Sequence, residues 1–193
     1  LQYGAENTIS VTCDNIPKPE RVPGGQFDWW NHGGLYRDVS LRITDSMYID
    51  DVTATTNLLT DEKAEVVVDV VVRCEDGEIA NRAIDVQLFD PAGEPVELPR
   101  ASQSQMLTTS NGHAEAKLTL PVEHALLWTP DDPHLYRLVL TINDSMSRHN
   151  GDTWSMRIGL REIRVDGTRL LLNGRPIVVK GVNRYEDYSG DNP

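Results

Sequence analysis

The sequence predicts an all-β protein whose main part is an immunoglobulin-like β-sandwich. Between about residues 48 and 164, short apolar or alternating segments follow one another with turn residues between them. No stretch in this region has the periodicity of a convincing amphipathic helix. About seven strands of this length and spacing are typical of such a sandwich. The predicted strands are 49–56, 64–74, 83–90, 103–109, 113–120, 135–143 and 153–164.

The second of these strands is predicted to lie at the centre of a sheet. Residues 64–74 are Ala-Glu-Val-Val-Val-Asp-Val-Val-Val-Arg-Cys, which is too rich in β-branched residues for a good helix. The segment is also too long and too apolar for a sheet edge. Residues suited to turns separate the neighbouring strands at 75–78, 90–93 and 110–112.

The residues before the sandwich predict one strand and a loop. Ile9, Val11 and Cys13 alternate with polar residues, which is the period of a half-buried strand. A single strand is not stable alone, so this one needs partner strands. Prolines and glycines at 17, 19, 23, 24 and 25 indicate that residues 16–26 form an irregular loop.

Two adjacent tryptophans follow this loop and allow two interpretations. Trp29 and Trp30 come directly after Asp28, and Asp38 lies further along the same segment. In the structural interpretation the rings cap a sheet and the aspartates are turn or ion-pair residues. In the functional one the segment is a sugar subsite, because aromatic faces stack on a pyranose while carboxylates accept hydrogen bonds from its hydroxyls. The residue types alone leave both open.

Residues 126–138 predict an aromatic plug. Trp128 is followed by a turn bounded by Pro130 and Pro133, and then by an alternating strand. The simplest interpretation is that Trp128 closes one end of the sandwich.

A β-hairpin is predicted after the sandwich. The apolar runs 170–172 and 177–179 flank Asn173-Gly174, a dipeptide that tolerates the positive φ angles of a tight turn. Pro176 fits only near the start of the second strand, where its missing N–H costs little. After Gly181 the sequence becomes polar, and the ends of apolar strands are where α/β barrels carry their chemistry. The polar residues there are Asn183, Arg184, Tyr185, Glu186 and Asp187.

Composition limits the functional classes. The chain has 193 residues, whereas a closed (β/α)8 barrel needs about 250, so no complete barrel is expected. A formal net charge of −12 would repel nucleic acid and anionic membrane surfaces, so neither is an expected partner. No run approaches the roughly 18 apolar residues of a membrane-spanning helix.

Two further features concern the compartment. The first residues lack the basic and apolar parts of a signal peptide, so the start resembles a cut, and a cytoplasmic location is favoured over secretion although the compartment is not fixed. Cys13 and Cys74 are expected to be reduced thiols packed as small hydrophobes, with a disulfide or a metal site as less favoured alternatives.

Four motifs in order along the chain resemble glycoside hydrolase family 2, the β-galactosidases and β-glucuronidases. The first is Gly-x-x-Asn-x-Ile-x-Val within 4–15, and the second is Asp-x-Trp-x-x-x-Gly-Leu-Tyr-Arg-Asp-Val within 27–41. The third is Leu-Trp-x-Pro-x-x-Pro-x-Leu-Tyr within 126–138. The fourth, within 158–188, combines Gly-Leu-Arg, Leu-Asn-Gly-Arg-Pro and Gly-Val-Asn-Arg-Tyr-Glu. Tyr185 departs from the family pattern, which has His there.

The resemblance implies three domain pieces, so that the chain would be an internal fragment. Residues 1–44 would end a sugar-binding jelly roll, 45–165 would form the sandwich, and 166–193 would begin the catalytic barrel. No catalytic residue is implied in this segment, because the family's acid/base and nucleophile glutamates, about 5 Å apart in a retaining enzyme, come from later barrel strands. Arg37 and Asp38 would be architectural. The implied substrate-binding residues are Asp28, Asn183, Arg184, Tyr185 and Glu186.

The implied activity is that of a retaining glycosidase that cleaves terminal β-glycosides, most simply β-galactosides. β-Glucuronides are the alternative, because Glu186-Asp187 also resembles the β-glucuronidase pattern, and Tyr185 leaves both open. A stand-alone carbohydrate-binding or scaffold sandwich is an alternative from another class, but it would not need the hairpin. The resemblance further implies a carbohydrate substrate, a homo-oligomeric parent, and no cofactor in this segment, while allowing Mg2+ or Na+ in the parent.

Overall fold

The computed structural model describes residues 2, 4–14, 16, 33–35, 37–75, 82–107, 109–144 and 151–183. Contacts divide the chain into two units. The smaller consists of Leu1–Arg42 with Lys180–Pro193, and the larger of Ile43–Val179. All strands of the described residues lie in the larger unit. The domain boundaries expected at 44/45 and 165/166 stay predictions.

Eleven short strands and one 3₁₀ turn, Arg100–Ser102, make up the described part of the larger unit. No α-helix occurs among the described residues, so the predicted all-β class is confirmed. In chain order the strands are β1 (Met47–Leu58), β2 (Lys63–Cys74), β3 (Arg82–Phe89), β4 (Ser104–Met106), β5 (Thr109–Ser110), β6 (His113–Glu123), β7 (Tyr136–Asp144), β8 (Thr153–Ile158), β9 (Ile163–Asp166), β10 (Arg169–Leu172) and β11 (Arg175–Pro176).

The strands form two antiparallel four-stranded sheets, in the orders β1-β2-β6-β5 and β4-β3-β7-β8. Strand β2 pairs along its whole length with β1 on one side and β6 on the other, so the prediction of a central strand at 64–74 is confirmed. Its side chains alternate: Val66, Val68, Val70 and Val72 are at most 1% exposed, whereas Asp69 faces solvent.

Apolar side chains from both sheets form one continuous core, which makes the pair a sandwich. The second sheet contributes Ile84, Val86 and Leu88 from β3 and Leu138 and Leu140 from β7, all at most 2% exposed. No polar or charged residue is buried among the described residues. The driving force for this fold is therefore the removal of aliphatic surface from water.

Two predicted strands are each divided in the structure. The segment 103–109 becomes β4, which pairs with β3, and β5, which pairs with β6 of the other sheet. The buried Leu107 lies between them and donates its N–H to Arg82 O at 2.8 Å. The segment 153–164 becomes β8, which pairs with β7, and β9, which pairs with β10. Between them, Gly159 lies against Trp128.

The predicted hairpin is confirmed, with a shorter second arm than expected. Asn173 and Gly174 both have positive φ, 51° and 75°, as a tight hairpin turn requires. Strand β11 ends at Pro176, and Ile177 makes one more bond to the first arm, from its N–H to Leu170 O at 2.9 Å. Strands β11, β10 and β9 form a small third sheet.

The strand predicted around Ile9, Val11 and Cys13 is not formed. No described ladder includes residues 4–14, and Ile9 and Val11 are 70% and 59% exposed. An isolated strand has no partner to satisfy its backbone, which accounts for this result among the described residues. Neither Cys13 nor Cys74 is in a disulfide. Cys74 is packed in the core, as predicted for a small hydrophobic residue, whereas Cys13 is exposed.

Candidate functional site

Asn183 is the one predicted substrate-binding residue within the described part of the chain. It is exposed, belongs to no strand, and lies in the smaller unit together with residues 1–42. Asp28, Arg184, Tyr185 and Glu186 lie outside the described residues. The contribution of all five to substrate binding therefore stays a prediction.

The described residues do form an ordered junction at one end of the sandwich, where the β10–β11 hairpin begins. Three segments that are distant in sequence meet there: the loop before β7, the connection 159–162 between β8 and β9, and the turn Asn173-Gly174.

Trp128, predicted as an aromatic plug, is fixed from three directions. The backbone N–H of Trp128 donates to the backbone O of Leu160 at 2.9 Å. The guanidinium carbon of Arg161 lies 4.7 Å from the centre of the ring, within cation–π range. A Cβ added to Gly159 would lie 2.9 Å from two atoms of Trp128, so only glycine permits this packing without displacement. The indole therefore holds the β8–β9 connection against the loop.

Asn173 joins this assembly to the hairpin through both ends of its side-chain amide. Its Nδ2 donates to Trp128 O at 3.0 Å, and its Oδ1 accepts from the Glu162 N–H at 3.0 Å. Its own N–H donates to Glu162 O at 2.9 Å. We call Trp128, Gly159, Glu162 and Asn173 the junction bracket.

The loop that carries Trp128 continues into a compact turn. Thr129 Oγ1 accepts from the Asp132 N–H at 3.0 Å, and the Thr129 N–H donates to Asp132 O at 3.1 Å. The His134 N–H also donates to Asp132 O, at 2.9 Å, and His134 Nε2 lies 3.0 Å from the Asp132 carboxylate. These local contacts shape the turn that the prolines predicted.

Tyr136 ties the other end of the same loop to the core. The residue is 2% exposed, and its hydroxyl oxygen accepts a hydrogen bond from the Leu126 N–H at 2.9 Å. Burial raises the pKa of Tyr136, because the phenolate would lose its hydration, while the Leu126 N–H works in the opposite direction.

A cleft of about 580 Å3 lies beside the junction bracket, and Asn173 lines part of it. Its walls combine apolar side chains, including Leu126, Leu172 and Ile177, with ionisable ones. The ionisable side chains are Asp61, Asp131, Asp132, His134 and Arg175. Such a lining can hydrogen-bond polar groups, but none of the described residues that line the cleft is a Trp, Tyr or Phe.

Neither a metal site nor a membrane span is found in the described residues. No group of three or more His, Cys, Asp or Glu side chains there could hold a metal ion. No described helix is long and apolar enough to cross a membrane.

The sequence predicted the turn at Asn173 but not the tertiary role of its side chain. The Asn-Gly dipeptide indicates positive φ, and that signal is local. The carbonyl that Asn173 bonds belongs to Trp128, 45 positions earlier, and nothing in the spacing of the two residues indicates this contact. The contact of Gly159 with Trp128 was also not predicted, because the sequence around Gly159 does not indicate which side chain packs on it.

The sandwich with its junction defines a module whose family is established by comparison with known proteins. The model of the glycosyl hydrolases family 2 matches residues 47–161. The chain therefore belongs to glycosyl hydrolase family 2, and the resemblance found in its motifs is confirmed.

Relatives with curated names include both activities considered above. A β-glucuronidase of Paenibacillus borealis is 27% identical over 203 residues, covering 95% of this chain and 30% of that protein. A β-galactosidase of Pectobacterium atrosepticum is 28% identical over 163 residues, covering 83% of this chain and 16% of that protein. A solved family 2 structure from Bacteroides cellulosilyticus has a TM-score of 0.64 at 25% identity, covering 72% of this chain and 19% of its own. The chain thus spans less than a third of the length of each.

Proposed function

We propose that the protein containing this chain is a retaining glycosidase that cleaves terminal β-glycosides. The proposal is carried by the match to the family model over residues 47–161. These residues are the described sandwich, from the start of β1 to Arg161 in the connection between β8 and β9. The chain supplies the sandwich and contacts at the edge of the substrate site. The family resemblance implies that the two catalytic glutamates come from later barrel strands, and the proposal places them there.

The proposed substrate contacts are the five residues implied by the family motifs. Asp28 accepts hydrogen bonds from sugar hydroxyls, and the segment from Asn183 to Glu186 contacts the sugar from the entrance of the barrel. Each charge-assisted hydrogen bond of this kind contributes roughly 1.5 to 3 kcal/mol in a desolvated site. These residues bind and orient the sugar, and they do not attack it.

β-Galactosides are the first candidate substrate, supported by the Pectobacterium relative. β-Glucuronides are a second candidate with equal support, because the Paenibacillus relative, named β-glucuronidase, matches 95% of the chain. The two sugars differ in the configuration of the C4 hydroxyl and at C6, where a glucuronide carries a carboxylate. Glu186-Asp187, which resembles the β-glucuronidase pattern, supports the second candidate, and Tyr185 leaves both open.

The proposal is tested by assaying the full-length protein on nitrophenyl β-galactoside and β-glucuronide, with the α-anomer of each as the control. We expect turnover of one β-glycoside and none of the α-anomers. Proton NMR of the first sugar released should show the β-anomer, as a double displacement requires. An active protein that first releases the α-anomer would exclude retention, and a full-length protein inactive on every β-glycoside would refute the proposal.

Two further expectations belong to the same proposal. The 193-residue chain alone should hydrolyse neither substrate, because it lacks the pair of barrel carboxylates. The full-length enzyme is proposed to be a homo-oligomer, which light scattering would decide.

A further inference from the structure

We propose that the outer edge of β1 is a self-association surface, to which a second copy of this chain adds its own β1 as an antiparallel strand. We call residues 51–58 of this strand the open edge. The inference goes beyond the proposed glycosidase function and does not depend on catalytic activity.

The backbone groups of alternate residues in the open edge are directed away from the sheet. Strand β1 is the outermost strand of its sheet, and β2 is its only strand partner among the described residues. The Leu59 N–H donates to Lys63 O at 2.9 Å, so the backbone of Leu59 faces β2. The facing direction alternates from one residue to the next, and the register with β2 has no shift within 51–58. The residues that face outwards are therefore Val52, Ala54, Thr56 and Leu58.

The beginning of β1 already has a partner on its outer side. The register with β2 shifts between Ile49 and Asp51, which marks a bulge. Before this shift, the Ile49 N–H donates to the carboxylate of Asp152, which precedes β8 of the second sheet. Among the described residues, no such partner reaches the outward backbone groups of 52–58. The open edge is thus the part of β1 that can accept a further strand.

The opposite edge of the same sheet carries protection that the open edge lacks. In β6, Pro121 has no N–H, and the Lys117 N–H donates to Gln105 Oε1 at 3.1 Å. Prolines, charged residues and covering groups keep natural sheet edges from pairing with other chains. The segment 52–58, Val-Thr-Ala-Thr-Thr-Asn-Leu, contains neither a charged residue nor a proline. The outer strands of the second sheet, β4 and β8, have only three and six residues.

A second copy matches this edge when Ala54 lies opposite Ala54 of that copy. Val52 then lies opposite Thr56, and because all three residues face outwards, each such pair can exchange both of its backbone hydrogen bonds. The alignment is symmetric, since the same surface is used by both copies. It therefore closes as a dimer and does not continue into a fibre.

The side chains on the exposed face favour this alignment. Thr53 lies opposite Thr55 of the second copy, and such Thr–Thr pairs stabilise antiparallel strands. Asp51, the only charged residue of the open edge, lies opposite Asn57 and not opposite a second carboxylate. The Asn57 amide donates to Glu65 Oε1 at 3.4 Å, and its second N–H can donate to Asp51. Because Thr53, Thr55 and Asn57 are exposed, these pairs form without a change in the core.

The test measures self-association of the 193-residue chain by sedimentation velocity over a series of concentrations. A single pair of strands buries less area than a standard interface, so we expect a weak dimer, with a Kd on the order of 0.1 mM. The buffer contains physiological salt, which screens the repulsion between chains of net charge −12. Circular dichroism and urea midpoints show whether each variant is folded.

The decisive variants place like charges at the two facing threonines. In Thr53→Lys/Thr55→Lys each lysine lies opposite a lysine of the second copy, so the Kd should rise at least ~10-fold. The added lysines reduce the net negative charge, so a general charge effect would instead tighten the dimer. Thr53→Glu/Thr55→Glu should be equally weak, whereas an equimolar mixture of the two variants should dimerise at least as tightly as wild type. Thr119→Lys, on the same exposed face but in β6, is the control and should leave the Kd within ~2-fold.

Two results would overturn the proposal. One is a wild-type chain that stays monomeric well above the expected Kd, and the other is a lysine variant that dimerises as wild type does. If the charged variants do not fold, Thr56→Pro decides, because proline removes an outward N–H and leaves the hydrogen bonds to β2 in place. An unchanged Kd in Thr56→Pro would refute the pairing. Any of these refutations leaves the glycosidase function standing, because that function is tested by turnover of β-glycosides.

Discussion

The carboxylate of Asp152 accepts a hydrogen bond at 2.9 Å from the backbone N–H of Ile49, 103 positions earlier. Ile49 belongs to β1 of the first sheet, and Asp152 precedes β8 of the second, where its backbone O also accepts from the Ile142 N–H at 3.0 Å. A single side chain therefore links the two sheets of the sandwich at one edge. Ile49 is fully buried, so its N–H has little access to water as a substitute partner.

Replacing Asp152 by alanine should destabilise the sandwich. The Ile49 N–H would lose its hydrogen bond to the Asp152 carboxylate, and a hydrogen bond to a charged group contributes about 1.5 to 3 kcal/mol. Urea denaturation of the 193-residue chain, followed by circular dichroism, measures this loss. Asp51→Ala is the control, because Asp51 is an exposed carboxylate on the same strand, β1. Equal stability of the two variants would show that the link between the sheets contributes nothing.

Gly159→Ala should disturb the packing of Trp128. The new methyl group would lie 2.9 Å from two atoms of Trp128, closer than van der Waals contact allows. Overpacking of this kind typically costs about 1 to 3 kcal/mol. Gly181→Ala provides the control, since no atom lies within 4 Å of a Cβ added there. If the two variants unfold at the same urea concentration, Gly159 is not needed for close packing.

Tyr136→Phe should have a pH-dependent effect on stability. The pKa of Tyr136 is raised in the folded protein above its ordinary value of 10.0, mainly by burial. The raised pKa therefore contributes to the free energy of unfolding below about pH 10. This contribution is lost as the pH rises through the folded pKa, because the tyrosine deprotonates first in the unfolded state. At pH 8 the variant should be less stable by about 1 kcal/mol, since the Leu126 N–H loses its acceptor.

At pH 11 the gap between wild type and Tyr136→Phe should be smaller, because only wild type carries the ionisable hydroxyl. Urea midpoints measured at both pH values test this expectation. A gap that is the same at pH 8 and pH 11 would contradict it.

The fold could be predicted where the signal is local and repeated. The alternating valines of β2 indicate one buried face, and Asn173-Gly174 indicates a hairpin, because both follow from the geometry of a few adjacent residues. No comparable local pattern shows which of the two sheets a short strand joins. Residues 103–109 were predicted as one strand, but Leu107 fills the core between β4 and β5, which join different sheets.

The site was less predictable than the fold, because its contacts are tertiary. No local pattern shows that Asn173 bonds Trp128 or that Asp152 bonds Ile49. The residue types left the role of Asp28 open and drew attention to Asn183 to Glu186 only as polar residues after an apolar strand, and their role in substrate binding was implied by the resemblance to family motifs. Their chemical types fit hydrogen bonding to a sugar, but such residues also occur in ordinary turns and ion pairs.

The most direct test of the claim that this chain contributes to substrate binding is the substitution Asp28→Ala in the full-length enzyme. Losing hydrogen bonds to sugar hydroxyls worth ~2 kcal/mol should lower kcat/KM at least ~30-fold, with the melting temperature nearly unchanged. Asp38→Ala is the control, because Asp38 lies in the same motif but is expected to be architectural, so its replacement should lower the melting temperature and leave kcat/KM of the folded enzyme unaltered. If Asp28→Ala instead lowers the melting temperature by several degrees and leaves kcat/KM intact, Asp28 is a structural residue and the proposed substrate contact is wrong.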